Sequence, residues 1–181
     1  MTAVTAGALL AEPDAPAFRA AMARFPTGVT LLTQGSGDET VVMTLNTLTS
    51  VSLDPLLILV SVKASGRMRP RIASSGSFAV NVLGAAQLDL ALEFCRPDRP
   101  EGSAAMLRLG AEEGVTGNAV VPAAETYVEC VLDAQYTAGD HTLLIGRVVA
   151  LSGGSASPDP LLFHQGKFGR MSSGEQRGAA A

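Results

Sequence analysis

Apolar runs separated by short polar turns extend along most of the chain, and this pattern predicts strands more often than helices. Residues 28–34 (GVTLLTQ) predict a strand, and the turn-rich GSGDE connects it to a second strand that begins near Thr40, as in a hairpin. Residues 56–62 are almost continuously apolar, which predicts a strand buried on both faces. The other predicted strands are 77–83, 126–137 and 142–152, and the last two are joined by a turn at 138–141.

Helices are expected to be few and short. A first helix is predicted from Asp14 to about Phe25, because Asp suits an N-cap position and a proline ends the segment. Phe18, Met22 and Phe25 would share one face of this helix. The other segments between strands predict two short helices and an excursion over the surface: 67–74, 85–94 and 95–117. The fold class is therefore mainly β, either a barrel or an α+β arrangement.

Length and composition indicate one folded domain. The chain has 181 residues, of which 47% are hydrophobic and 17% charged, so most of it can form a packed core. We assign residues 14–171 to the domain, 1–13 to a disordered leader and 172–181 to a disordered tail. The net charge of −4, without a basic run, argues against nucleic acid and anionic membrane surfaces as partners.

The cellular location of the protein is predicted from two kinds of segment, membrane spans and signal peptides. No run approaches the roughly 18–20 apolar residues of a membrane span, and the N-terminus has no signal-peptide pattern. A cytoplasmic location is therefore expected. The two cysteines, Cys95 and Cys130, are predicted to be reduced and to act as small buried hydrophobes.

The chemistry-bearing residues are mostly hydroxyl and amide side chains. The segment MTLNTLTSVS (43–52) precedes the apolar strand, and such side chains beside a buried strand suit a surface that binds a flat polar heterocycle. The alternative is a threonine-rich edge strand with solvated hydroxyls. Lys63, Ser65 and Arg67 follow the strand and precede a helix, which predicts a phosphate site or, alternatively, an ordinary basic loop.

Other chemistries lack their signatures. There is no Walker or GxGxxG motif for a nucleotide and no GxSxG elbow for a serine hydrolase. The two histidines, His141 and His164, and the two cysteines lack metal-ligand spacing, so no metal is predicted.

Five blocks, in order, resemble the flavin reductase-like, FMN-binding split-barrel family. They are RFPTGVTLLT (24–33), MTLNTLTSVSLDPLLILVSV (43–62), SGSFAVNVL (75–83), AGDHTLLIGRVV (138–149) and PLLFHQGKFGRM (160–171). The chain departs from the family pattern at Val42, at the pair Thr47 and Leu48, at Leu56 and in the excursion, which has Ala-Ala-Met at 104–106.

The resemblance implies a split β-barrel with a few short helices, and an NAD(P)H:flavin oxidoreductase. The flavin would be FMN, with FAD as an alternative, and NADH or NADPH would donate the hydride. Reduced flavin would diffuse to a partner monooxygenase, and the protein would be a homodimer. Two rivals remain open: an FMN enzyme that retains its flavin and acts on its own substrate, including a biosynthetic one, and a non-catalytic flavin- or heme-binding module.

The resemblance also implies site residues. His141 would be catalytic, because it matches a block in which the family has a histidine near the flavin and nicotinamide. The last block would border the same pocket, across the dimer interface. The implied cofactor-binding residues are Thr27, Thr44, Leu45, Asn46, Thr47, Thr49, Ser50, Ser61, Lys63, Ser65, Arg67, Asn81, His164 and Phe168.

Overall fold

The structure is a computed structural model that describes residues 14–154 and 159–171, so the predicted leader and tail lie outside the described residues. Four α-helices are present: α1 (Ala15–Met22), α2 (Met68–Ser75), α3 (Leu88–Phe94) and α4 (Gly102–Leu109). The first six strands are β1 (Thr27–Gly28), β2 (Thr30–Gln34), β3 (Val41–Leu45), β4 (Thr49–Leu53), β5 (Leu56–Lys63) and β6 (Ser77–Val82). The others are β7 (Glu112–Glu113), β8 (Ala119–Val120), β9 (Thr126–Ala138), β10 (His141–Leu151), β11 (Leu161–His164) and β12 (Lys167–Arg170).

Seven antiparallel strands form the main sheet, in the order β3-β2-β6-β9-β10-β5-β4. Its two edges, β3 and β4, are consecutive in the chain, so residues 46–48 connect one edge of the sheet to the other. Side chains from six of these strands pack into one core cluster, which includes Leu32, Val60, Phe78 and Leu144. The sheet therefore curls around its own apolar face, and the prediction of a mainly β fold with few short helices is confirmed.

A second core lies outside the curled sheet. It joins Val29 and Leu31 to Phe94 of α3, Leu109 of α4 and Leu161 of β11. β11 belongs to a small sheet with the order β1-β11-β12. This core fixes β1 and β11 beside the edge of the main sheet where the chain passes from β3 to β4.

The hairpin predicted from 28–34 and Thr40 is confirmed, because β2 and β3 pair antiparallel. The prediction that residues 56–62 are buried on both faces is wrong. Burial alternates along β5, with Ile58, Val60 and Val62 in the core and the intervening residues half-buried, because one face of the sheet points outward.

Three other expectations are corrected. The first helix ends at Met22, and the chain continues in turns to Phe25. The excursion contains a helix, α4, which buries Leu109 against the second core. Cys130 is buried as expected, and burial raises the pKa of its thiol to about 12, but Cys95 is exposed at the end of α3.

Residues 99–102 form a strip along the free edge of β3. The Arg99 Nε–H donates to the carbonyl of Val42 at 2.7 Å, and the Gly102 N–H donates to the carbonyl of Thr40 at 2.8 Å. Gly102 has φ +60°, and a Cβ there would lie 2.9 Å from the carbonyl oxygen of Asp38, so the close approach requires glycine. The backbone positions of residues 99–102 are thus fixed relative to β3.

Over residues 14–154 and 159–171, none of the helices is both long enough and apolar enough to span a bilayer.

Candidate functional site

A cleft of about 840 Å³ opens where α1 faces the turn between β3 and β4. Its polar wall carries four of the predicted residues, Thr27, Asn46, Thr47 and Thr49. The apolar wall comes from four separate elements and from the turn itself, and includes Phe18, Met22, Phe25, Leu48, Leu59, Val82 and Phe163. An apolar cleft with a few convergent hydroxyls and an amide suits a flat heterocycle with polar edges.

Hydrogen bonds fix the polar wall of the cleft. The Asn46 side-chain amide donates to the hydroxyl of Thr27 at 3.1 Å, which joins the β3–β4 turn to β1. The Thr47 hydroxyl donates to the carbonyl of Ser61 and accepts from its N–H, both at 3.1 Å. The first bond leaves the Asn46 carbonyl oxygen free to accept from a ligand, whereas Thr47 acts mainly by fixing the turn on β5.

Helix α1 contributes large apolar side chains to the cleft although all eight of its residues are exposed. Phe18, Met22 and Phe25 are 60%, 52% and 66% exposed. Asp14 caps the start of the helix, since its carboxylate accepts from Ala17 N–H at 2.7 Å, and the Gln165 N–H joins the other end to the β11–β12 turn by donating to the Ala23 carbonyl at 2.9 Å. The predicted apolar face of this helix therefore lines the cleft rather than the core.

Arg67, one of the predicted phosphate ligands, lies in a cluster with two residues of the excursion. Its guanidinium forms an ion pair with Glu101 at 2.6 Å. Burial first, and then the Arg67 cation, lowers the pKa of Arg99, while Glu101 opposes the shift. Arg99 and Glu101 were missed by sequence reasoning, because their contacts to β3 and to the start of α2 join segments far apart in the chain.

Lys63 and Ser65, the other two predicted phosphate ligands, are both exposed. Lys63 ends β5 directly opposite His141 in the β5–β10 ladder, and Ser65 lies in the turn that follows. Lys63 therefore lies opposite His141, whereas Arg67 pairs with Glu101.

His141 is at the start of β10, and its Nδ1 lies 2.8 Å from a carboxylate oxygen of Asp140. The hydrogen bond to this imidazole, followed by its charge, lowers the pKa of Asp140. Leu59, which lines the cleft, is four residues along β5 from the position that faces His141, or about 13 Å. A single chain thus places His141 outside the cleft, and its catalytic role stays a prediction.

His164 and Phe168 line a smaller pocket of about 330 Å³ beside the cleft, which they share with Pro26. The ring of Phe168 packs on Phe163, with ring centroids 5.1 Å apart, and Phe163 lines the cleft itself. Phe168 therefore supports the wall of the cleft from behind.

Three residues predicted to contact the cofactor have partners within the protein, and their contact with a flavin stays a prediction. The Asn81 side chain is fully buried, donates to Leu31 and Thr33 and accepts from the Val121 N–H, so it joins strands. Leu45 packs in the core, and the Thr44 hydroxyl donates to the carbonyl of Ala91 in α3 at 2.8 Å. Asn81 and Leu45 are thus buried, whereas Thr44 is half-buried.

Ser50 is exposed on β4, next to Thr49 of the cleft wall, and strand alternation directs the two side chains to opposite faces. Ser61 contributes its backbone to the bond with Thr47. Residues of the cleft that sequence reasoning missed include Arg19, Leu59 and Phe163. The helical spacing of Phe18, Met22 and Phe25 was the available signal for the α1 wall.

Within residues 14–154 and 159–171, no group of three or more His, Cys, Asp or Glu side chains is placed so that it could hold a metal ion. The cleft does fit a flavin. The Asn46 amide and the hydroxyls of Thr27 and Thr49 would hold the polar edge of the ring, and the apolar side chains would cover its faces.

Comparisons with known proteins agree with this chemistry. The family described as flavin reductase like domain matches residues 22–172, so the chain belongs to that family. The chain is 43% identical to an NADH-dependent FMN reductase from Streptomyces nodosus subsp. asukaensis over 157 residues, which are 87% of this chain and 85% of the relative. It is 36% identical to an NADH-dependent FAD reductase from Streptomyces globisporus over 177 residues, 95% of this chain and 94% of the relative.

A solved structure shares the fold. The flavin reductase component of a bacterial two-component tryptophan halogenase superposes with a TM-score of 0.81 at 38% sequence identity. The match covers 87% of this chain and 98% of that one.

Proposed function

We propose that this protein is an NADH-dependent flavin reductase that supplies reduced flavin to a partner monooxygenase. The observation that carries the proposal is the cleft of about 840 Å³, in which the Asn46 amide and two hydroxyls lie beside an apolar wall. A bound flavin supplies the redox chemistry, because it accepts a hydride from NADH and can pass the electrons on. FMN and FAD are both retained as flavins, since the two reductases compared above are named for one each.

The protein's own residues bind the flavin and orient its ring. Asn46, fixed by Thr27, presents its amide carbonyl to a ring N–H, and Thr49 offers a hydroxyl beside it. Phe18, Phe25 and Phe163 exclude water from the ring faces and hold the reactants in one geometry. The exposed side chains of Phe18 and Met22 in the cleft wall suit a flavin that enters, is reduced and leaves.

We also propose a homodimer in the cytoplasm. The β5–β10 ladder directs Leu57, Leu59, Leu143 and Ile145 to the outward face of the sheet, and Tyr136 lies beside Leu143 in β9 with 60% of its surface exposed. A second copy of the chain would cover this apolar face and bring a second set of strands to the cleft. Both cysteines are free thiols, as expected for a reducing compartment.

Purified protein tests the function directly. NADH consumption would be followed with FMN, FAD and riboflavin added in turn, together with the visible spectrum of the protein as isolated. A colourless protein that oxidises NADH only when flavin is added supports the reductase. A yellow protein that is inert to NADH favours an enzyme that keeps its flavin for another substrate, and a Soret band favours a heme-binding module; either result contradicts the proposal.

The dimer has its own test. Light scattering after size-exclusion chromatography should give twice the mass of the 181-residue chain. Ile145→Asp, which places a charge in the middle of the outward face, should give the mass of one chain with the fold retained. A wild-type mass of one chain would contradict the dimer.

A further inference from the structure

Arg67 and Glu101 meet beside the free edge of β3, outside the residues that line the cleft. Val42, the acceptor of Arg99, is four residues before Asn46 on an extended path, or about 13 Å. A flavin mononucleotide carries its ring at one end and its phosphate at the other, so the ring and the phosphate need separate subsites in about this relation.

The cluster contains two guanidinium groups and one carboxylate, so it retains a positive charge when Glu101 is paired. Arg99 is held by two backbone carbonyls, through Nε to Val42 at 2.7 Å and through one terminal nitrogen to Arg96 at 3.0 Å. Five N–H donors are available to a guanidinium, so donors remain for a further acceptor. Arg99 is therefore a pre-positioned cation rather than a solvated one.

The position of Glu101 is also fixed. Its backbone is extended (φ −132°, ψ 169°), and the next two residues are bound to the β2–β3 connection through Gly102 N–H to Thr40 and the Ser103 hydroxyl to Asp38. The carboxylate, with a side chain 39% exposed, reaches Arg67 at 2.6 Å. A carboxylate and a phosphate compete for the same N–H donors of a guanidinium.

We infer that Glu101 is an internal competitor of the flavin phosphate. In the ligand-free protein Glu101 pairs with Arg67; when a phosphorylated flavin binds, its phosphate displaces the carboxylate and is held by Arg67 and Arg99 together. This inference rests on the proposed function, and it assigns two residues of the excursion to the discrimination between flavins with and without phosphate. The ion pair lowers the affinity for FMN while leaving the ring subsite unchanged.

Flavin binding without NADH tests the competition, measured as the quenching of FMN and riboflavin fluorescence at one ionic strength. Glu101→Gln removes the competing charge and keeps the shape, so the Kd for FMN should fall by about three- to tenfold while that for riboflavin changes by less than about twofold. Arg99→Gln should raise the Kd for FMN by about three- to tenfold with the same indifference to riboflavin, and Arg99→Lys should recover part of the loss.

Glu93 provides a matched control, because it pairs with Arg108 at 2.6 Å between α3 and α4, in an ion pair of the same length. Glu93→Gln should leave both dissociation constants unchanged. An unchanged or weaker affinity of Glu101→Gln for FMN, with wild type binding both flavins, would overturn the competition and leave the reductase function standing. Wild type that binds neither flavin would overturn the proposed function together with this inference.

Discussion

Thr47 and Ser61 exchange two hydrogen bonds through a single hydroxyl, which accepts from the Ser61 N–H and donates to the Ser61 carbonyl, each at 3.1 Å. Thr47 belongs to the turn between β3 and β4, the two edges of the main sheet, and Ser61 to β5. The Thr47 side chain thus joins the turn to β5 just beyond the end of the backbone ladder between β4 and β5. The polar wall of the cleft depends on this contact.

Thr47→Val should therefore weaken the binding of FMN, FAD and riboflavin together. Two hydrogen bonds worth about 0.5–1.5 kcal/mol each are lost, and the turn that carries Asn46 becomes less fixed. We expect each Kd to rise by about tenfold. Thr47→Ser retains the hydroxyl and should bind all three flavins nearly as well as wild type. A loss of affinity in Thr47→Val that is confined to FMN and FAD would contradict this prediction, because it would place Thr47 at the phosphate and not at the ring.

Arg67→Ala should weaken the binding of FMN much more than the binding of riboflavin. A charge-assisted bond to phosphate is worth about 1.5–3 kcal/mol, but the Arg67 side chain is 58% exposed, so we expect about a tenfold rise in the Kd for FMN. Riboflavin binding should change little. Arg96→Ala is the control, since Arg96 pairs with Asp98 at 2.7 Å on the same excursion; equal losses for both ligands in Arg67→Ala would show that Arg67 does not contact the phosphate.

His141→Ala tests the predicted catalytic residue. If His141 supplies a proton, hydride transfer should slow by about 10–10⁴-fold, and if it only positions the nicotinamide, the KM for NADH should rise instead. The side chain is 38% exposed at the first position of β10, so Tm should change little. A large fall in Tm with unimpaired flavin reduction in the folded fraction would return His141 to a structural role.

The same variant has a pH signature at Asp140. The His141 hydrogen bond holds the pKa of Asp140 below its usual 3.8, so its contribution to stability is present above about pH 4 and is lost as the pH falls through the lowered value. In His141→Ala the Asp140 pKa should rise toward 3.8. Carboxylate chemical shifts followed from pH 2 to 6 measure this, and an unchanged titration would show that the two side chains are not paired in solution.

Substitution by alanine should affect stability at Asn81 and flavin binding at Asn46. Asn81→Ala leaves the Val121 N–H without its buried acceptor, which should lower the free energy of unfolding by about 1–3 kcal/mol without changing the flavin Kd of the folded protein. Asn46→Ala, at an exposed position in the cleft, should weaken flavin binding with little change in stability. Denaturant titrations and flavin quenching on both variants distinguish the two residues, and weaker flavin binding by folded Asn81→Ala would support the predicted cofactor contact of Asn81 instead.

The sequence predicted those features that depend on neighbouring residues. The β2–β3 hairpin follows from two apolar runs joined by a glycine-rich turn, and the α1 face from the spacing of Phe18, Met22 and Phe25. The position of Asn81 in a central strand does not follow from its local sequence, because burial there is set by β2 and β9 on either side. Arg99 was missed for the same reason, since its acceptor on β3 is 57 residues away in the chain.

The strip at 99–102 has a consequence for how the folded protein behaves in a crowded solution. A strand at the rim of a sheet carries unpaired N–H and C=O groups that strands of other molecules can extend, which is a common start of aggregation. Arg99 and Gly102 use the carbonyls of Val42 and Thr40, the groups that β3 would otherwise offer to another strand. Shortening the excursion would therefore expose unpaired backbone groups at the edge of the sheet. We expect such a variant to aggregate, so that its low solubility prevents a measurement of its catalytic rate.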